Sequence, residues 1–242
     1  MSLHVHVVAS LAGASVGGVV SVEGAEAHHA VAVRRLTVGE PLLLTDGAGM
    51  LATCEVAATG KQRLECRVVA VASVPRPEPS LEVVQALPKG DRGELAVEVL
   101  TEIGVDRIVP WAASRSVAVW RGERAAKSHA KWEATAREAA KQARRAWFPS
   151  VAPLATTAEV TALLADAPLA LVLDESATAP LPASVPERVV LVVGPEGGLA
   201  PEELAAFEAA GARTVRLGAE VLRTSTAGLA AVAALLSRTP RW

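Results

Sequence analysis

The segment PRPEPS at residues 75–80 places three prolines within five positions. At that density the backbone loses the amide donors a sheet needs and the dihedral freedom a helix interior needs, so the segment reads as an extended spacer. The chain has a different rhythm on each side of it. Before it, short apolar runs alternate with turn residues: LHVHVV (3–8), VVSV (19–22), PLLLTDGAGMLATCEVAA (41–58) turning at Asp46-Gly47, and LECRVVAVA (64–72). These are strand and hairpin patterns. One short helical stretch, EAHHAVAVRRL (26–36), interrupts them. Short strands with a single helix predict a small closed β-barrel over residues 1–74.

After the spacer, strand and helix patterns alternate through residues 81–242. The strands are LEVVQAL (81–87), RIVPW (107–111), ALVLD (170–174), RVVLVVG (188–194) and TVRLG (214–218). The helices are GELAVEVLTEIG (93–104), a long one over 123–147, PEELAAFEAAG (201–211) and STAGLAAVAALLSR (225–238). The unbroken apolar runs at 170–174 and 188–194 fit strands covered on both faces. Alternation of this kind predicts an α/β domain with a parallel sheet.

Composition narrows the functional classes. The chain has 242 residues, 51% of them hydrophobic and 21% charged, enough to bury a core and to exclude wholesale disorder. Residues 1–22 lack Asp, Glu, Lys and Arg, but His4, His6 and three glycines break the run, so a secretory leader is not expected. TAGLAAVAALL (226–236) falls well short of the roughly 20 apolar residues of a membrane span. Cys54 and Cys66 make no disulfide framework and fit reduced, packed strand positions. A Cys/His site that used His28 and His29 would lack metal-ligand spacing, so no metal is expected. The expected location is the cytoplasm.

Charge is segregated although the total is only −2. Residues 107–148 hold ten Lys or Arg and three Glu, while 155–210 hold nine Asp or Glu and one Arg. On the long helix Ala125, His129, Trp132, Ala136, Ala139, Ala143 and Trp147 form an apolar stripe. Arg124, Lys127, Lys131, Lys141, Arg144 and Arg145 fall mostly outside it. A solvated face and a phosphate-binding strip both fit; Arg115 and Arg121 nearby favour the strip.

The strongest local signal is LVVGPEGGLAPEEL (191–204), a buried strand ending in Gly-Pro-Glu-Gly-Gly before a helix that starts at Pro201. VRLGAEVLRTSTAGLAA (215–231) repeats the arrangement, with Thr224 or Ser225 suited to cap the last helix and Arg223 just before it. Loops beyond the carboxyl ends of parallel strands are ligand ground, and glycines let a backbone approach closely. Two such units in succession make a pocket candidate. No G-x-G-x-x-G follows a strand, and no P-loop or G-x-S-x-G elbow occurs, which disfavours dinucleotide oxidoreductases, P-loop enzymes and typical α/β hydrolases.

These two segments resemble the RsmE family of 16S rRNA uridine-N3 methyltransferases, in the SPOUT superfamily. LPKGDRGELAVEVLTEIGVDRIVPWAASRSV (87–117), REAAKQARRAWFPSV (137–151) and HHAVAVRRLTVGEPLLLTDGAG (28–49) are similar to further blocks of that family, the last to its PUA-like RNA-binding domain. The sequence departs from the family at Ser225 and at Lys141, where the family commonly has Glu. The resemblance implies a PUA-like barrel over 1–74, a linker over 75–80 and a trefoil-knotted SPOUT domain over 81–242. It implies S-adenosyl-L-methionine held by Leu173, Gly194, Pro195, Glu196, Gly197, Gly198, Leu217, Gly218, Val221, Leu222 and Thr224, and a homodimer. Arg223 and Glu196 are the candidate catalytic residues. Arg34, Arg35, Lys89, Arg92, Arg115, Lys131, Arg144 and Arg145 are candidates for holding RNA of the small ribosomal subunit. A SPOUT enzyme with another RNA target and a non-catalytic assembly factor remain alternatives; Ser225 is the feature that favours the latter.

Overall fold

The computed structural model describes residues 3–242, so the first two residues of the expected barrel lie outside the described residues. The chain divides into two units. The first runs up to Arg76 and takes in Lys141–Phe148; the second comprises Pro77–Ala140 and Pro149–Trp242.

The first unit is a five-stranded sheet in the order β1-β3-β4-β5-β2. Its strands are β1 (His4–Val7), β2 (Val19–Glu23), β3 (Pro41–Thr45), β4 (Met50–Thr59) and β5 (Arg63–Ser73). β1 pairs with β3 in parallel and the other ladders are antiparallel. No ladder joins β1 to β2 among the described residues, so the expected barrel is a curled half-barrel that this strand pair does not close. The reason lies in the helical segment that follows β2. Its Ala27 and Ala30 are fully buried beside Leu42, Leu44 and Leu64, so a helix supplies core that a closing strand pair would otherwise enclose. That segment is α1 (Gly24–His28) running into a π-helical turn, His29–Val33, rather than one helix over 26–36. The Arg34 amide reaches back to the His29 carbonyl at 2.9 Å, and Arg35 leaves with φ of 56°. Cys54 and Cys66 are free and buried on β4 and β5, and burial pushes their thiols up to about 11 and about 12.

A polar cluster sits inside this unit. Lys141 Nζ lies 2.8 Å from Glu26 Oε1, and Nδ1 of His6, only 1% exposed, lies 3.5 Å from Glu26 Oε2. Burial alone would raise the Glu26 carboxyl; the contacts with His6 and Lys141 outweigh it and hold the group at about 2. The sequence placed Lys141 on a helix continuing to residue 147, but α3 spans Glu123–Gln142. Arg144 then takes φ of 53°, and Trp147 and Phe148 join the β3–β4 hairpin: the Phe148 amide donates to Gly47 and the Trp147 indole N–H to Val74, each at 2.9 Å.

The second unit is a six-stranded, wholly parallel sheet in the order β11-β9-β10-β6-β7-β8. Its strands are β6 (Ser80–Ala86), β7 (Arg107–Trp111), β8 (Ser150–Val151), β9 (Ala170–Leu173), β10 (Arg188–Val193) and β11 (Arg213–Val215). One face is covered by α2 (Arg92–Ile103), α3 and α6 (Thr224–Leu236), through Val97, Leu100, Trp132 and Val232. The other is covered by α4 (Thr157–Ala165) and α5 (Pro201–Ala209), through Val160, Leu164 and Phe207. Because both faces are covered, the central strands are mostly apolar, with Glu82 and Gln85 of β6 as buried polar exceptions. Gly104 ends α2 with φ of 107°, the left-handed stop expected from its position. A parallel sheet brings the carboxyl ends of all its strands to one edge, and the loops that leave that edge build the site.

Candidate active site

A cleft of about 630 Å³ opens at this edge of the second unit. That is the size of a small-molecule site. Its walls are three loops: 173–176 after β9, 193–199 after β10 and 215–224 after β11. Arg92 at the start of α2, Arg115 in the loop after β7, and Ala227 of α6 complete it. Every residue expected to hold a cofactor lines this cleft: Leu173, Gly194, Pro195, Glu196, Gly197, Gly198, Leu217, Gly218, Val221, Leu222 and Thr224. Arg223 lines it too.

The glycines of the β10 loop serve different physical ends. A Cβ on Gly197 would lie 3.2 Å from Cβ and 3.3 Å from the carbonyl oxygen of Arg115, so this position lets two loops pack backbone to backbone. Gly198 has φ of 71° with nothing near its missing side chain; conformation, not crowding, requires glycine there. The amide of Gly198 closes the turn onto Pro195 at 3.0 Å. This leaves an exposed backbone strip along one wall of the cleft. The loop after β11 presents an apolar wall opposite in character: Val221 is 75% exposed and Leu222 42%, with Leu217 beside them.

Two buried polar residues tie the loops together. Thr224 Oγ1 donates to the Gly194 carbonyl, and Gln85 Nε2, from the end of β6, donates to both the carbonyl and Oγ1 of Thr224 at 3.3 Å. The expected cap of α6 by Thr224 or Ser225 is therefore not made. Arg223 is the N-cap residue, without a side-chain cap bond, because the Thr224 hydroxyl is engaged with the β10 loop. Ser225 is 3% exposed and does not line the cleft.

The charged residues divide by environment. Arg223 is exposed and makes no side-chain hydrogen bond or ion pair among the described residues. Glu196 accepts a hydrogen bond from the Lys89 amide at 3.1 Å, which holds the turn before α2 to the β10 loop. Arg115 Nη1 donates to the Gly197 carbonyl at 3.3 Å. Lys131 pairs with Glu94 at 2.9 Å on the neighbouring helix α2. Arg34, Arg35, Arg144 and Arg145 belong to the first unit, so the eight basic candidates are distributed over both units. Sequence reasoning missed Asp174, Glu175, Arg216 and Glu220, which also line the cleft. Asp174 and Glu175 follow a buried strand directly, as the Gly-Pro-Glu-Gly-Gly loop does, but carry no glycine signature to mark them.

The arrangement offers an apolar slot, a strip of exposed backbone at 196–198, and charge of both signs, without a cluster of three metal-ligating side chains among the described residues. Comparison with known proteins places it. A family model described as an RNA methyltransferase domain matches residues 76–236, and one described as an RNA methyltransferase PUA domain matches 22–69. Ribosomal RNA small subunit methyltransferase E of Mycobacterium tuberculosis is 46% identical over 93% of this chain and 89% of its own length. The Bacillus subtilis protein of the same name is 30% identical over 90% of each. Among solved structures, the Neisseria gonorrhoeae protein of that name, bound to S-adenosyl methionine, superposes with a TM-score of 0.86 at 27% identity over 98% of both chains. A Legionella pneumophila protein in complex with bound SAM gives a TM-score of 0.88 at 26% identity, also over 98% of both. The chain belongs to the ribosomal RNA small subunit methyltransferase E family.

Proposed function

We propose that this chain methylates N3 of one uridine in 16S ribosomal RNA of the small subunit, using S-adenosyl-L-methionine. The observation that carries the reading is the cleft at 173–176, 193–199 and 215–224, in a chain whose relatives carry the rRNA methyltransferase name and whose structural neighbours hold that cofactor. The residues present fit the group. Leu217, Val221 and Leu222 offer an apolar slot for an adenine. The exposed backbone of the β10 loop at 196–198 can bond polar edges through the groups its internal hydrogen bonds do not use. Asp174, Glu175 and Glu220 offer carboxylates to a ligand's cationic groups, and Arg92, Arg115, Arg216 and Arg223 offer cations to its anionic ones. When bound, the cofactor supplies an electrophilic methyl group on a sulfonium centre, so the chemistry needs no metal.

The protein's own work is alignment and charge. Orientation of two reactants contributes up to roughly 7–11 kcal/mol. The N3 edge of uridine is a pairing edge, so the base must be unpaired or turned out of its stack to enter the cleft. Loss of the N3 proton leaves negative charge on the uracil oxygens. Arg223 cannot accept that proton, because a guanidinium stays protonated; it is placed to stabilise the charge. Glu196, which lines the cleft and has one oxygen engaged by the Lys89 amide, holds the loop, and its second oxygen is the candidate acceptor for the substrate's N3 proton. Arg92 and Arg115 at the rim, with Lys89, Lys131 and the first unit's Arg34, Arg35, Arg144 and Arg145, contact RNA phosphate. The exposed Val221 and Leu222 support a homodimer in which a partner completes each cleft. The same reading assigns to these three loops the trefoil knot of SPOUT enzymes. The working site is the cytoplasm, where ribosomes are assembled.

Purified protein incubated with methyl-labelled cofactor and small subunits lacking the modification tests this. The expected product is N3-methyluridine in 16S RNA on nucleoside mass spectrometry. Label on a ribose, on another base or on transfer RNA would contradict the reading.

A further inference from the structure

We propose that Glu203 is a positioning residue that sets Arg115 against the cofactor loop, so that its effect on methyl transfer is exerted through Arg115. The inference rests on the proposed contact of Arg115 with RNA and adds the device that aims it. Glu203 lies in the first turn of α5, is 5% exposed, and faces no cation within ion-pair distance among the described residues. Three donors from three elements satisfy its carboxylate instead. Oε1 accepts from the Ser114 amide at 2.8 Å and from the Thr157 hydroxyl at 3.2 Å; Oε2 accepts from the Ala200 amide at 3.1 Å.

Each donor belongs to a different support of the cleft. Ser114 immediately precedes Arg115 in the loop after β7. Ala200 ends the loop that begins at Gly194. Thr157 opens α4 and in turn accepts from the buried indole of Trp111, the last residue of β7, at 3.3 Å. One carboxylate therefore fixes both loops whose contact is the Arg115–Gly197 seam. An N-terminal helix carboxylate needs only its own helix amide for capping; the bonds to Ser114 and Thr157 go beyond that task. Buried carboxylates are costly unless fully hydrogen-bonded, and here the bonds that satisfy the group also fix the loop geometry. A displacement of about 1 Å at such a seam suffices for losses on the order of 100-fold in rate.

E203Q preserves shape but offers a single accepting oxygen, so either the Ser114 and Thr157 arm or the Ala200 arm must loosen. The test is a double-mutant cycle with R115A, read as kcat/KM for small-subunit RNA at saturating S-adenosylmethionine. E203Q should lose about tenfold or more in the native background. In the R115A background it should lose nothing further. Multiplicative losses in the two backgrounds, or full activity of E203Q, would overturn the inference while leaving the RNA role of Arg115 intact. Full activity of R115A would overturn both. Should E203Q fail to fold, T157V takes its place in the cycle. It deletes the hydroxyl that shares Oε1 of Glu203 with the Ser114 amide, and the same outcomes decide.

Discussion

Arg223 stands at the last position before α6 with its guanidinium unpaired, although Glu196 and Glu220 line the same cleft. Had it been a loop staple, one of those carboxylates would hold it. Its expected role is to interact more strongly with the transition state than with the bound ground state, which separates turnover from affinity. R223A should lower single-turnover methylation by about 100-fold, as loss of a charge-stabilising donor does. Cofactor affinity should stay within about threefold by calorimetry. R223K should recover little, because a point charge does not reproduce a planar fork. Parallel loss of turnover and affinity would assign Arg223 to holding the loop. This residue was legible in the sequence because it lies between a strand-ending glycine and a helix. Glu203 was not, since a Glu in the first turn of a helix looks like an ordinary cap until Ser114 and Thr157, which lie 89 and 46 positions away, are seen to converge on it.

The element boundaries show where local signals compete with distant ones. β10, α5 and the stop of α2 at Gly104 follow from apolar runs, Pro201 and a left-handed glycine, all local. α4 also had a local signal, a capping box between Thr156 and Glu159, but its short apolar pattern hid it. The end of α3 had none. Residues 143–148 keep helical spacing, yet Trp147 and Phe148 gain more by packing on the β3–β4 hairpin, and α3 stops at Gln142. The same return carries Lys141 to Glu26. Because the Glu26 carboxyl is held at about 2, below its ordinary 4.5, its contribution is complete above that ordinary value and fades as pH falls toward 2. The contribution is on the order of 3 kcal/mol. E26Q should therefore be less stable than the native protein in urea at pH 6, and the gap should close on acidification toward pH 2. A gap independent of pH would mean that the carboxylate charge does not stabilise the first unit.

At the scale of the molecule, the spacer at 75–80 and the change of rhythm across it announced two folding units and a parallel sheet. They did not announce that 141–148 belongs to the first unit, because a chain return leaves no periodicity. Glycines marked two of the site's three loops in the sequence, and the third was expected only at Leu173, from the family resemblance. The third, after β9, brings Asp174 and Glu175 to the cleft by strand order alone, since β9 lies between β11 and β10. The identity of the modified base is the central claim of the proposed function. Nucleoside analysis of 16S RNA from a strain lacking this chain reads it directly. N3-methyluridine should disappear from the 16S fraction and return when the native chain, but not R223A, is supplied. Undiminished N3-methyluridine in the deletion strain, or loss of a different nucleoside, would contradict it.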